Sequence, residues 1–162
     1  MRTAIIYESK YGATKKIASV LQEKLEADCY EINEVENLEN YDVLIFGSCV
    51  YAGVLGRKMC DYLKKHIHLL QKKKLFLYYS GLMKEQDAIE KVFLENVGND
   101  VLERCQGCAC LGGVLDFNKM NFMEKTLIKV INKKAKLYSG NQKIINLIDE
   151  KAMDDFIEKI EK

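Results

Sequence analysis

The segment from Glu8 to Lys15, which reads ESKYGATK, has the residue types of a phosphate-binding loop. It follows an apolar run and leads into a helical pattern, and the N–H groups and dipole at a helix N-terminus favour an anion. The hydroxyls of Ser9 and Thr14 can donate further hydrogen bonds, and Gly12 can adopt turn conformations. The spacing lacks the G-x-G-x-x-G of dinucleotide sites and the G-x-x-x-x-G-K-[ST] of nucleoside triphosphate sites. We therefore predict a phosphate site, with helix capping by Ser9 or Thr14 as the alternative.

Apolar runs alternate with amphipathic stretches along the whole chain. The apolar runs predict five strands, at Thr3–Tyr7, Cys29–Ile32, Val43–Gly47, Leu75–Tyr79 and Cys108–Leu115. Helical spacing of apolar residues predicts helices over Ala13–Glu26, about Arg57–Leu70, about Lys84–Val97 and Met153–Ile160. This alternation predicts an α/β fold with a doubly wound parallel sheet, which binds ligands beyond the carboxyl ends of its strands. We therefore expect the functional residues in the loops after the first, third and fourth strands.

The composition is that of one globular domain spanning residues 1–162. Hydrophobic residues make up 48% and charged residues 30% of the chain, and the formal net charge is +1. This near-neutral balance argues against a nucleic-acid-binding protein. The apolar run at the N-terminus is too short for a secretion signal, so the six cysteines predict free thiols in a reducing cytoplasm.

A long basic segment, 116–143, interrupts the pattern after the fifth strand, and the apolar piece Ile144–Ile148 is a candidate to continue that strand. Residues 117–143 carry seven lysines and a single acid, Glu124, beside an apolar side. A basic amphipathic helix can lie against an anionic membrane or an acidic partner. The alternative is a solvated helix packed on the sheet edge. Peripheral contact with the inner face of a membrane is therefore one of two hypotheses for this segment.

Cys105, Cys108 and Cys110 have the spacing of a partial metal site. Structural zinc takes four ligands, and no second Cys pair or paired His follows them. His66 and His68 are two residues apart and would point to different sides of a helix. On a strand, Cys108 and Cys110 would behave as small hydrophobic residues. We therefore predict no metal site.

The motif Ser9-x-Tyr11-Gly12-x-Thr14, placed after the first strand, resembles the [ST]-x-[TY]-G-x-T phosphate loop of flavodoxins. The segment Gly47–Gly53 is similar to the flavodoxin loop that covers one face of the flavin, and Ser80–Leu82 takes the place of the loop at its other edge. The resemblance implies a flavodoxin-like five-stranded parallel sheet in the order 2-1-3-4-5. In it, 116–143 resembles the helical insertion that splits the fifth strand of long-chain members. Among subfamilies, the chain is most similar to the menaquinone-dependent protoporphyrinogen IX dehydrogenase type.

By this resemblance the cofactor is FMN, bound without a covalent bond. The residues implied to hold its phosphate are Ser9, Lys10, Tyr11, Gly12, Ala13 and Thr14. Those implied to surround its ring are Ser48, Cys49, Val50, Tyr51, Ala52, Gly53, Ser80, Gly81 and Leu82. Tyr51 is the candidate to stack on the isoalloxazine, because a flat side chain excludes water from the ring; packing on neighbouring helices is the alternative. Many flavodoxins place a glycine directly after the stacking residue and a serine at position 49, whereas this sequence has Ala52 and Cys49 there.

The resemblance implies a redox protein in which the flavin carries the electrons, so no side chain is predicted to be catalytic. One version is a dehydrogenase that oxidises a porphyrinogen and reduces a quinone; the near-zero net charge and the basic insertion favour it. The other version is a flavodoxin-like electron carrier that serves a reductase partner. A non-redox regulator of the same fold would need a phosphoacceptor Asp where Gly47 and Ser48 stand. A small phosphatase would need Cys-x5-Arg in the first loop, which contains neither residue.

Overall fold

A computed structural model describes residues 1–162 and contains a central parallel sheet. The strands are β1 (Thr3–Tyr7), β2 (Asp28–Glu31), β3 (Val43–Tyr51), β4 (Val54–Leu55), β5 (Lys74–Ser80), β6 (Cys105–Cys110), β7 (Val114–Asp116) and β8 (Ile144–Asn146). The sheet order is β2-β1-β3-β5-β6, and all four of these pairings are parallel. The short β4 pairs antiparallel with the end of β3. The predicted α/β fold and strand order are confirmed, with β5 and β6 as the fourth and fifth parallel strands.

Helices cover both faces of this sheet. They are α1 (Ala13–Leu25), α2 (Arg57–Lys65), α3 (Ile67–Leu70), α4 (Gln86–Val97), α5 (Asn99–Leu102), α6 (Phe122–Ala135) and α7 (Glu150–Glu161). The helix predicted over 57–70 is interrupted at His66, whose ring stacks on Tyr62 with the centroids 4.1 Å apart. No helix is long and apolar enough to cross a lipid bilayer.

Alternate residues of the buried strands face two separate apolar layers. Ile5 and Ile45 point to the layer covered by α1 and α7, whereas Ile6 and Phe46 point to the layer covered by α2 and α4. Because both faces are covered, the strands are apolar throughout rather than alternating, as expected for a parallel sheet. This arrangement fixes the carboxyl ends of β1, β3 and β5 at one edge of the sheet.

The predicted fifth strand is divided into two strands that belong to different sheets. β6 ends at Cys110 in the main sheet, and β7 begins at Val114 and pairs antiparallel with β8. The piece Ile144–Ile148 therefore does not rejoin the parallel sheet, because β8 forms a separate ladder with β7. Helix α6 packs on this hairpin through a small apolar cluster of Leu115, Ile128 and Ile145. The insertion is thus a β-hairpin carrying one helix, with a core of its own.

Candidate functional site

A cavity of about 480 Å³ opens at the carboxyl ends of β1, β3 and β5. It lies beside β1 and β3, where the chain order of the strands reverses, as expected for a doubly wound sheet. Thirteen of the fifteen residues predicted from the sequence line it: Ser9, Lys10, Tyr11, Ala13, Thr14, Cys49, Val50, Tyr51, Ala52, Gly53, Ser80, Gly81 and Leu82. The fold therefore brings the three predicted loops to one site. Neither of the other two residues lines the cavity: Gly12 is exposed to solvent and Ser48 is buried in β3.

The loop after β1 forms a cradle of backbone donors. Gly12 precedes the first residue of α1 and has a left-handed backbone with φ of +97°. Its N–H donates to Ser9 Oγ at 3.0 Å, which leaves the Ser9 hydroxyl proton free to donate. The N–H groups of Ala13, Thr14 and Lys15 donate to no acceptor within the protein. These unpaired donors at a helix N-terminus fit a phosphate group.

The hydroxyls of Thr14 and Ser80 join two of the three loops. They lie 2.8 Å apart and are buried, and only one of them can donate within the pair. The proton of the other hydroxyl remains available to a ligand. Neither Ser9 nor Thr14 caps α1 with its side chain, since no side-chain cap is present there. The geometry therefore disfavours helix capping as the reason for these two hydroxyls.

A two-residue hairpin projects Tyr51 at the mouth of the cavity. β3 runs on to Tyr51, and Ala52 and Gly53 form the turn to β4 with φ of +49° and +79°. Positive φ at both positions is typical of a type I′ turn, whose twist suits a hairpin. Asn96 of α4 donates to the Gly53 carbonyl at 2.8 Å and so holds the turn in place. Tyr51 is 41% exposed, so its ring is free to cover a ligand.

Two polar side chains behind the cavity position the loops. Ser48 is buried in β3, and its Oγ accepts from the N–H of Gly56 at 2.9 Å. Glu8 follows β1, and its Oε2 accepts from the N–H of Met59 in the first turn of α2 at 2.8 Å. Both side chains satisfy backbone donors at or near a helix start. Ser48 therefore supports the hairpin rather than facing the cavity.

The sequence did not identify the wall that closes the cavity on the side of the insertion. Residues of the β5–α4 loop, the β7 segment and α6 complete the lining: Met83, Glu85, Gly113, Val114, Leu115, Met120, Glu124, Leu127, Ile128, Ile131 and Ala135. Leu127, Ile128 and Ile131 have helical spacing, which indicated an apolar face but not what that face would cover. The wall is predominantly apolar, so the insertion encloses part of the site.

Glu124 of α6 is tied to the loop after β1. Its side chain is 3% exposed, and its Oε1 lies 2.6 Å from Lys10 Nζ. Its Oε2 accepts from the Tyr11 hydroxyl at 2.7 Å. Burial acts to raise the pKa of Glu124, but the hydrogen bonds from Lys10, Tyr11 and the Asn121 N–H together hold that pKa below its usual range. The hydrogen bond between Lys10 and Glu124 also raises the pKa of Lys10, so the Lys10 ammonium and the Glu124 carboxylate are both charged at neutral pH.

The six cysteines are all unpaired thiols. Cys49 lines the cavity, and burial raises the pKa of its thiol. Burial also raises the pKa of the Cys105 thiol, to about 12. No group of three or more His, Cys, Asp or Glu side chains is arranged to hold a metal ion.

Comparison with protein families shows that residues 4–140 match the flavodoxin domain. Among curated proteins, the chain is similar to protoporphyrinogen IX dehydrogenase [quinone] of Escherichia coli strain K12. The two are 23% identical over 171 residues, which cover 99% of this chain and 94% of that protein.

Two solved structures have the same fold. One is a flavoprotein of Lactobacillus acidophilus in complex with FMN, with a TM-score of 0.50 and 16% identity, which covers 68% of this chain and 90% of that chain. The other, from Bacteroides eggerthii, has a TM-score of 0.52 and 13% identity and covers 85% of this chain and 99% of that chain. These similarities agree with the strand order described above.

Proposed function

The chain belongs to the flavodoxin family, which confirms the predicted FMN cofactor, and on that premise we propose that it is an oxidoreductase whose flavin exchanges electrons with a small, flat, apolar molecule. FMN supplies one- and two-electron transfer, and the protein supplies binding, access and electrostatics. The geometry of the cavity, rather than any acid or base in it, carries the proposal.

The residues proposed to hold FMN are those predicted from the sequence and lining the cavity. The unpaired N–H groups of Ala13, Thr14 and Lys15, with the hydroxyls of Ser9 and Thr14, would bind the phosphate. The hairpin with Tyr51 and the segment Ser80–Leu82 would enclose the ring. Tyr51 is proposed to stack on the ring, because its exposed aromatic face gains most by covering a flat ligand.

The apolar wall of α6 is the observation that favours a small apolar substrate. A carrier that passes electrons to a protein partner needs only an exposed flavin edge, whereas here Leu127, Ile128 and Ile131 cover one side of the cavity. Such a wall excludes water and binds apolar molecules by burying their surface. A quinone acceptor and a porphyrinogen donor are proposed because the Escherichia coli relative, whose name states both, aligns along nearly its whole length.

This proposal is tested by changing one side of α6 at a time. Ile131→Glu places a charge on the cavity wall, and Val130→Glu places the same charge on the exposed side one residue away. The bound FMN is first reduced with one equivalent of dithionite, and excess menadione is then added under anaerobic conditions. We expect Ile131→Glu to slow the transfer of electrons from the reduced flavin to menadione at least tenfold, with little change in FMN affinity. Val130→Glu should keep the wild-type rate. Equal rates in all three proteins, with rapid electron exchange to a flavodoxin reductase instead, would establish the carrier alternative.

The outer surface of the insertion has the charges and apolar side chains that would bind an anionic lipid surface. Phe122 and Met123 are 83% and 77% exposed at the start of α6. Of the seven lysines in 117–143, only Lys119 pairs with an acid outside the segment, Asp116, and the single acid Glu124 is buried against Lys10. The exposed charges are therefore of one sign beside exposed apolar side chains, as in peripheral membrane helices. Contact of this surface with an anionic membrane is the second part of the proposal.

Vesicle sedimentation tests this contact. We expect the FMN-loaded protein to sediment with phosphatidylglycerol vesicles and to remain in solution with phosphatidylcholine vesicles. Lys133→Glu/Lys134→Glu should abolish sedimentation, whereas Lys64→Glu/Lys65→Glu, an equal change of charge on α2, should not. If both double variants lose sedimentation with phosphatidylglycerol vesicles equally, only the total charge of the protein matters, and α6 is excluded as the contact surface.

A further inference from the structure

A buried carboxylate lies in the same cavity as the phosphate loop. Both oxygens of Glu124 are used by that loop: Oε1 accepts from Lys10, and Oε2 accepts from the Tyr11 hydroxyl and from the N–H of Asn121 at 3.0 Å. The contacts with Lys10 and Tyr11 join residues more than one hundred positions apart in the chain. They attach the first turn of α6 to the start of α1.

The carboxylate of Glu124 and a phosphate held by the loop repel each other, because the surrounding apolar side chains screen charge poorly. In this pair, the ammonium of Lys10 balances the charge of Glu124. Lys10 has three donors and can serve two acceptors, but the Tyr11 hydroxyl has only one proton to donate. Lys10 and Tyr11 belong to the proposed phosphate loop and line the same cavity, and an anion that reaches their side chains shares Lys10 and takes Tyr11 from Glu124.

We propose that the cofactor phosphate and Glu124 compete for the Lys10 ammonium and the Tyr11 hydroxyl, so that phosphate binding releases the first turn of α6 from the loop. The inference rests on the proposed phosphate loop. In this proposal, Glu124 is the residue through which the cofactor controls the contact between the first turn of α6 and the loop after β1.

The release is local because other contacts hold the rest of the insertion. Ile128 packs with Leu115 and Ile145, and Asn132 exchanges two hydrogen bonds with the backbone of Tyr138. The first turn of α6 has fewer such contacts, since Phe122 and Met123 are exposed. Movement of that turn opens the cavity beside Glu124, at the end of α6 that precedes the apolar wall. Phosphate binding would in this way admit the second substrate only to protein that already holds its cofactor.

Glu124→Gln tests the competition without removing the helix start. Asn121 and Glu124 form a capping box, and Gln occupies the same position in such boxes as readily as Glu. The affinities of wild type and variant for FMN and for riboflavin, which lacks the phosphate, are measured by quenching of flavin fluorescence. We expect Glu124→Gln to bind FMN about tenfold more tightly, because the repelling charge is gone. Its affinity for riboflavin should stay within twofold of wild type.

Two results would overturn the competition. If Glu124→Gln weakens FMN and riboflavin binding alike, the side chain only supports the cavity wall. If it weakens FMN binding alone, Glu124 orients Lys10 and Tyr11 toward the phosphate instead of competing for them. Glu158→Gln is the matched control, because Glu158 also pairs with a lysine, Lys162, but lies on α7 outside the cavity; it should leave both affinities unchanged.

Hydrogen exchange gives an independent measure of the release. In wild type, FMN should speed exchange in peptides covering the first half of α6, and riboflavin should not. In Glu124→Gln this exchange should be fast with either ligand. Slower exchange in α6 on FMN addition would contradict the proposal. A wild type that binds riboflavin as tightly as FMN would instead show that the phosphate loop itself is misassigned, so the two failures are distinguishable.

Discussion

Gly12 is the residue at which the proposed phosphate loop ends and α1 begins. Its φ of +97° lies in the left-handed region, and its α-carbon faces open space, so the constraint is the backbone conformation and not crowding. The motif around it could be identified from the sequence because hydroxyl, glycine and hydroxyl follow one another at fixed spacing. Glu124 could not be identified as part of the site from the sequence, because nothing near it in the chain indicates a partner at Lys10.

Replacing Gly12 tests the loop directly. A β-branched residue is strained at this φ by about 1–2 kcal/mol or more, so Gly12→Val should weaken FMN binding at least tenfold and keep the far-UV circular dichroism of wild type. Gly98→Val is the control, since Gly98 also has a positive φ and open space around it but lies between α4 and α5. FMN titrations of both variants give the comparison. Unchanged FMN affinity in Gly12→Val would show that the phosphate binds elsewhere.

Ala52 is a second position where the backbone conformation is unfavourable for its side chain. An alanine at φ of +49° costs roughly 1 kcal/mol relative to glycine. We expect Ala52→Gly to raise the free energy of unfolding by about 0.5 kcal/mol, and Gly53→Ala to lower it by about 1 kcal/mol. Urea unfolding followed by circular dichroism measures both changes. A less stable Ala52→Gly protein would mean that the turn is not held in the left-handed conformation.

Among the helices and strands, the periodicity of hydrophobic residues predicted most of the sheet and the helices that cover it. β1, β5 and α1 match their predicted ranges to within a residue or two, because their apolar runs and helical stripes are unambiguous. The extension of β3 to Tyr51 was missed, since it depends on pairing with β5 as far as Cys49 and with β4 beyond it rather than on a local pattern. The β7–β8 hairpin was missed for the same reason. Long-range pairing within short, weakly apolar segments is not encoded in local periodicity.

The insertion should behave as a separate stability unit, because only three buried side chains form its core. Ile128→Ala removes one of them, and we expect about 2 kcal/mol less protection of α6, at the low end for a buried isoleucine. Amide hydrogen exchange followed by mass spectrometry should show faster exchange across 117–143 and unchanged exchange in β3 and β5. Val130→Ala, on the exposed side of α6, should change neither region. Equal acceleration in β3 and β5 would contradict a separate unit.

For the whole molecule, the contact of the insertion with the sheet domain depends on pH. The pKa of Glu124 is lowered in the folded protein, so its stabilising contribution is complete above the unfolded value of about 4.5 and is lost as the pH falls through the folded value. The free energy of unfolding of wild type should therefore fall below pH 5 more steeply than that of Glu124→Gln. Urea unfolding at a series of pH values from 7 to 3 measures the difference. Parallel curves would show that folding does not lower the pKa of Glu124.

We propose that FMN binds in the cavity at the carboxyl ends of the first, third and fourth parallel strands. This proposal is tested by the visible absorption spectrum, recorded after the protein is mixed with FMN and the excess FMN is removed by gel filtration. We predict a yellow protein with one FMN per chain, whose flavin fluorescence is quenched and recovers in Tyr51→Ala, because the ring lies against Tyr51. A colourless protein after gel filtration would contradict the claim.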